Sequence, residues 1–250
     1  MKKKLLVAGY PRSGNTWLGY LLSFLLNAKY QELNAPKGFK STHQKEILQF
    51  ISGKLKRKSY FDSVVKTHER YSFSKNKIGL DKFDKVIYIV RDPRDVAVSL
   101  FFYKYYNSPI DQDRPGEILS RKPQIIGKYL WKKTVLQVAK EWPLHALSWR
   151  SFEGTHLVKY ESLRKNPERT LKEIASFLEE KIGHKLIKNA IEQFSFKRLS
   201  GGRKSGEEHA TGFFRKGIVG DHKNYFDRID KFIFHLHAKQ EMQELGYRLE

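Results

Sequence analysis

The 250-residue chain is 40% hydrophobic and 14% aromatic, enough to bury one sizeable core and too short to require two, so a single domain over 1–250 is expected. Its 48 Lys and Arg against 27 Asp and Glu leave a formal charge of +21, a field that attracts nucleic acid, anionic membranes or multiply charged small ligands without choosing among them; from the motifs of the chain, no nucleic-acid partner is expected. With no cysteine, a disulfide framework, a thiolate metal site and a cysteine nucleophile are excluded.

The first residues, MKKKLLVAGYPRSGNTWLGYLLSFLL, begin like a signal peptide, but Pro11, Arg12, Ser13, Gly14 and Asn15 interrupt the apolar run. That leaves neither a signal core nor a span of about 18 residues, and the expectation is a soluble, cytoplasmic protein without a transmembrane segment. KLLVAG predicts a short strand ending at Gly9, and from Thr16 the residues Leu18, Leu21, Leu22 and Leu25 recur at helical spacing. Between them, GYPRSGNT matches the phosphate-loop pattern G-x-x-x-x-G-K-[ST] at Gly9, Gly14 and Thr16, with Asn15 in the lysine's place and a cation three residues earlier at Arg12. Backbone N–H groups there, at the head of a helix, make either an anion site or a plain strand-to-helix turn.

Further strands are predicted at SVVKTH (63–68), KVIYIV (85–90) and THLVKYESL (155–163). In RDPRD, Asp92 or Asp95 can cap a helix carrying Val96, Leu100 and Phe101. A helix is expected from about Tyr129 to Leu147 with Trp131, Val135, Val138 and Trp142 inward, and Asn166-Pro167 opens one with Leu171, Ile174, Ala175 and Leu178 on one face. Residues 200–223 hold six glycines among Arg203, Lys204, Arg215, Lys216 and Lys223, a composition expected to stay mobile until an anion orders it. Alternating strands and helices predict an α/β fold of three layers, a mostly parallel central sheet with helices on both faces.

In such sheets ligands bind beyond the carboxyl ends of the strands. His68 follows a strand and is either a base that takes a proton from an attacking hydroxyl or one of nine histidines on a surface turn. Arg91 either grips a phosphate together with Ser99 or pairs with Asp92 or Asp95. Arg215, Lys216 and Gly217 form either a lid over the same phosphate or a solvated basic loop, and Trp17 and Phe196 either sandwich a base or belong to the core.

Taken together and in this order, YPRSGNTW, KTH, YIVRDPRDVAVSLFFY and FRKGIVGDHKN closely resemble the sulfotransferases that use 3′-phosphoadenosine 5′-phosphosulfate, the cytosolic type and its bacterial relatives, from about Leu5 to Phe226. The resemblance implies a P-loop-like phosphosulfate-binding loop in which Arg12 contacts the oxygen bridging phosphate and sulfate while Ser13, Gly14, Asn15 and Thr16 line the 5′-phosphate. It further implies Trp17, Tyr160 and Phe196 near the adenine, Lys66 on the sulfuryl group, His68 as catalytic base, and Arg91, Ser99, Arg215, Lys216 and Gly217 around the 3′-phosphate. No metal is implied; the product would be adenosine 3′,5′-bisphosphate, and the acceptor a small molecule or glycan with a hydroxyl or amine. Three positions depart from the family pattern: Arg12 for the usual lysine, Asn15 for threonine, and His222 for the tryptophan of GDWKN. The family's short dimerisation motif is not found near the C-terminus, and oligomeric state stays open.

Two other readings compete. A nucleotide-dependent kinase would use VIYIVRD as a strand ending in a metal-binding aspartate, but lacks the loop lysine. A non-catalytic polyanion-binding module would owe its affinity to the +21 charge and lose it steeply with salt. Substrate loops are expected in the irregular segments 34–60 and 104–128.

Overall fold

The computed structural model describes residues 3–33, 59–71, 79–106, 123–210 and 212–249. They fall into two compact units, one built from Met1–Val90 with Ser148–Ser195 and the other from Arg91–Leu147 with Phe196–Glu250.

The first unit holds a five-stranded, all-parallel sheet in the order β2-β3-β1-β4-β5. Its strands are β1 (Lys3–Ala8), β2 (Lys29–Glu32), β3 (Phe61–Thr67), β4 (Lys85–Val90) and β5 (Thr155–Lys159). Leu5 to Ala8 and Val86 to Val90 are buried without alternation, which requires cover on both faces and explains their unbroken apolar sequences. Helix α1 (Asn15–Leu26) follows the first loop and buries Leu18, Leu21, Leu22 and Leu25 as the helical spacing predicted. The order reverses at β1, which pairs with β3 on one side and β4 on the other.

Two expectations need correction here. The four-residue β2 was not foreseen, and the fourth predicted strand stops at Lys159, since Tyr160 already begins a helix (Tyr160–Lys165). Asn166 and Pro167 open the next helix (Pro167–Phe177) as expected, with Leu171, Ile174, Ala175 and Leu178 buried. Another helix, His184–Gln193, completes the unit.

In the second unit, α2 (Pro93–Tyr106) begins where Asp92 Oδ1 accepts the Arg94 N–H at 2.9 Å, so Asp92 is the cap. The long helix α3 (Pro123–Arg150) buries Val135, Val138 and Trp142, while Trp131 is half-buried and donates its indole N–H to Asp230 at 2.9 Å. A short helix, Phe196–Leu199, precedes the glycine-rich segment. The C-terminal helix α8 (Arg228–Glu244) starts at a capping box in which Asp227 and Asp230 exchange side-chain and backbone hydrogen bonds.

Candidate active site

The phosphate-loop-like segment of the first unit is built on a turn. Ser13 N–H donates to Tyr10 O at 3.2 Å, Pro11 holds the second position, and Arg12 adopts φ 70° at the third. That is the type II pattern, whose third position normally takes glycine; a side chain there costs about 1–2 kcal/mol. Gly14, at φ 98°, caps α1, which has no side-chain cap, so the N–H groups of its first turn have no partner within the helix and carry the positive end of its dipole. Neither loop glycine can be replaced: a Cβ on Gly9 would lie 2.6 Å from Ile89 O, and one on Gly14 2.7 Å from the Tyr160 ring. Ser13 Oγ is buried with no hydrogen-bond partner among the described residues, an oxygen suited to an anionic ligand.

Strand register brings the next residues to this loop. Ala8 pairs with Thr67, so Gly9 and His68 leave adjacent strands side by side. His68 Nδ1 lies 2.9 Å from Gly9 O, and since a carbonyl only accepts, Nδ1 carries the proton and Nε2 the lone pair. The Asn15 amide, 3.4 Å from the same Nδ1, is engaged instead with Tyr10 O at 3.0 Å. Lys66 is buried, pairs with Glu32 at 3.0 Å and donates to Thr16 Oγ1 at 3.3 Å. Burial pulls its ammonium below the usual lysine range; Glu32 works against that shift and Arg12 adds to it. Trp17 is anchored by its indole N–H on Phe194 O at 2.8 Å, edge-on to Tyr160, with the Arg164 guanidinium 5.6 Å from its ring centre.

A second cluster lies within the other unit. Arg91 Nη2 donates to Ile218 O at 3.0 Å and reaches Asp95 at 3.5 Å, while Asp92 is taken by Arg94 at 2.7 Å. Ser99, one helical turn beyond Asp95, is buried. Arg215 pairs with Glu208 and Asp221, and Lys216 with Asp221 at 2.9 Å. Gly217, at φ 63°, presses its backbone on the Phe196 ring, which a Cβ would meet at 2.3 Å. Thus Arg12 to Trp17, Lys66, His68 and Tyr160 gather in one unit, and Arg91, Ser99, Phe196 and Arg215 to Gly217 in the other.

The glycine-rich segment differs from its expectation. Arg203 donates to the carbonyls of Glu207, Phe214 and Arg215, while backbone bonds join Gly206 to Lys216 and His209 to Arg215. The segment is cross-braced by its own side chains rather than left open for an anion to order.

Sequence reasoning missed two partners. Glu32, the counterion of Lys66, sits on the unforeseen β2 and also accepts from Tyr30 at 2.9 Å. Asp95, considered as a helix cap or a counterion for Arg91, accepts from the backbone of Gly220 and His222 at 2.7 and 3.0 Å and from the His222 ring at 2.8 Å. It thereby ties the head of α2 to the turn that follows Lys216 and Gly217. The substitution of His222 for tryptophan has this consequence: a buried ring that hydrogen-bonds to a carboxylate. The segments expected to meet the acceptor, 34–60 and 104–128, lie largely outside the described residues.

The family profile described as "Sulfotransferase domain" matches residues 2–246. Sulfotransferase 1B1 of Mus musculus is 29% identical over 249 residues, covering 89% of this chain and 77% of its own. Sulfotransferase 1A1 of Bos taurus is 26% identical, covering 98% and 86%. Among solved structures, mouse sulfotransferase SULT7A1 complexed with PAP superposes with a TM-score of 0.66 at 22% identity, covering 97% of this chain and 85% of that one. Retinol dehydratase in complex with androsterone and inactive cofactor PAP gives 0.58 at 22% identity, covering 98% and 82%. These structures share the α/β fold. Of the three functional readings left by the sequence, the kinase and the non-catalytic module find no support, and the chain belongs to the sulfotransferase domain family.

Proposed function

We propose that this sulfotransferase draws on 3′-phosphoadenosine 5′-phosphosulfate and sulfates an acceptor hydroxyl or amine, with His68 as base. The observation that carries the reading is the His68–Gly9 hydrogen bond, 2.9 Å, which supports a proton on Nδ1 and leaves Nε2 as the nitrogen to take another, next to the phosphate-loop-like turn. Ser13 Oγ and the uncapped first turn of α1 fit a phosphate there. When bound, the nucleotide supplies an activated sulfuryl group and a phosphate leaving group.

In this reading the chain's residues divide the work. Ser13 Oγ and the N–H groups of Gly14, Asn15 and Thr16 hold the 5′-phosphate, Trp17 and Tyr160 flank the adenine, and Nε2 of His68 takes the acceptor's proton. Arg12 and Lys66 meet the negative charge that develops during transfer. Arg12 acts by charge alone, because a guanidinium does not release its proton at ordinary pH. In the second unit Arg91, Ser99 and Arg215 to Gly217, with Phe196, recognise the 3′-phosphate end. Three cations there, Arg91, Arg215 and Lys216, face three carboxylates, Asp95, Glu208 and Asp221, so the phosphate competes with carboxylates already in place. The acceptor is a small molecule or glycan bearing a hydroxyl or amine, consistent with the androsterone and retinol named for structural neighbours.

The test is a thermal shift with adenosine 3′,5′-bisphosphate in metal-free buffer. At about 100 times its dissociation constant the ligand adds about 2.7 kcal/mol, a rise of roughly 5–10 °C for a chain of this length. Arg91→Ala should remove most of the shift. His68→Ala should keep it and lose about 10²–10⁴-fold in turnover; full turnover in that variant would show that His68 is not the base.

A further inference from the structure

We propose that the outward face of α8 docks this protein on an anionic phospholipid surface. The helix buries Phe234, Ala238 and Met242, as a surface helix should, but its opposite side is not uniformly polar. Ile229, Phe232 and Leu236 are 60%, 64% and 64% exposed. At spacings of three and four residues they fall within roughly 60° of arc, a second apolar stripe facing solvent. Single exposed apolar residues need no explanation, whereas three aligned along two turns form a patch.

The charges beside the stripe select its partner. Arg228, Lys231, His235 and Lys239 are all exposed along one edge, and from Arg228 to Gln240 no acidic side chain is exposed. The one acid in that stretch, Asp230, is buried under Trp131 and Lys132. Next to Phe232 a cavity of about 400 Å³ is lined by Arg94, Lys231, Phe232, Phe234, His235 and Leu249, apolar walls with basic groups. Large apolar side chains flanked by cations are what an interfacial helix presents to acyl chains and phosphate headgroups. A second copy of the chain fits less well in an antiparallel two-fold contact through this face, which sets its basic edge against the same edge of the partner.

The full chain is tested by co-sedimentation with phosphatidylcholine vesicles, with and without phosphatidylserine. It should sediment with the phosphatidylserine vesicles, and less so as salt rises. Phe232→Ser combined with Leu236→Ser should lower binding about tenfold or more, and Lys231→Ala or Lys239→Ala about fivefold each. These variants should keep the wild-type melting temperature, so that a loss reports docking rather than unfolding. Failure to bind either vesicle would overturn the proposal. So would undiminished binding in the serine double variant, which would mean general polyanion attraction, or light scattering that shows a dimer dispersed by Phe232→Ser.

Discussion

Arg12 offers the sharpest test of how the phosphate loop is built, because its backbone and its side chain make opposite demands. At φ 70° it occupies a turn position that glycine adopts without strain, yet it is the one cationic residue within the loop sequence GYPRSGNT. Arg12→Gly and Arg12→Ala both remove the side chain and differ only in the backbone. At an ordinary position alanine exceeds glycine by about 0.4–1 kcal/mol through the unfolded chain. Here the alanine methyl meets left-handed strain of about 1–2 kcal/mol, so the order reverses, with glycine ahead by roughly 0.5–1 kcal/mol. For a chain of this length that is a difference of about 1–4 °C in melting temperature, within reach of calorimetry. Both variants should lose about 10²–10³-fold in turnover, while Arg12→Lys, which restores a cation, should retain most of it. An alanine variant as stable as the glycine variant would refute the turn assignment, and near-normal turnover in either would refute the electrostatic role.

Gly217→Ala combines left-handed strain of about 1–2 kcal/mol with overpacking of about 1–3 kcal/mol against Phe196; denaturant unfolding should show the loss, which Phe196→Leu should partly relieve. Glu32→Gln removes the group that opposes the burial shift of Lys66, so the Lys66 pKa falls further and the alkaline loss of nucleotide affinity moves to lower pH. Titration calorimetry between about pH 7 and 10 checks this, and an unmoved alkaline limb would refute it. At the acid end, burial alone would raise the Asp221 carboxyl, but hydrogen bonds from Arg215, Lys216 and Asn224 hold it below its usual range. The folded state then binds fewer protons than the unfolded one, so the stabilisation is complete above about pH 4 and is lost as pH falls through the depressed value. Asp221→Asn should flatten the acid limb of melting temperature against pH, and an unchanged slope would count against the pairing.

The parts of the fold legible in the sequence are those where a backbone rule acts over a few residues. KLLVAG and KVIYIV could be read because a strand buried on both faces needs an unbroken apolar run, and Gly9 and Gly14 because no other residue fits their surroundings. The strand β2 escaped notice because KYQE offers a single buried residue, Tyr30, and four residues carry no periodicity. Tyr160 was assigned to a strand because VKY continues the alternation of β5; it is buried equally well as the first residue of a helix. The pairing of Lys66 with Glu32 spans 34 positions and that of Asp95 with His222 spans 127, distances over which spacing conveys nothing.

The same contrast bears on the +21 charge, which the sequence presents as one undivided quantity. In the folded chain several of the cations named as ligands are already matched: Lys66 by Glu32, Arg91 by Asp95, Arg215 and Lys216 by Asp221 and Glu208. Their role is therefore local, to exchange a carboxylate for a phosphate, and they add little to the distant field. What projects into solvent is the exposed lysine and arginine surface, of which α8 from Arg228 to Gln240 is a part with no exposed acidic side chain of its own. Salt should consequently weaken the two kinds of binding unequally. Nucleotide affinity, resting on buried and half-buried groups, should decline gently with ionic strength, whereas vesicle binding through Arg228, Lys231 and Lys239 should collapse once the Debye length falls to about 3–8 Å. Parallel salt titrations of the two would separate them, and a common slope would mean that one diffuse basic surface serves both.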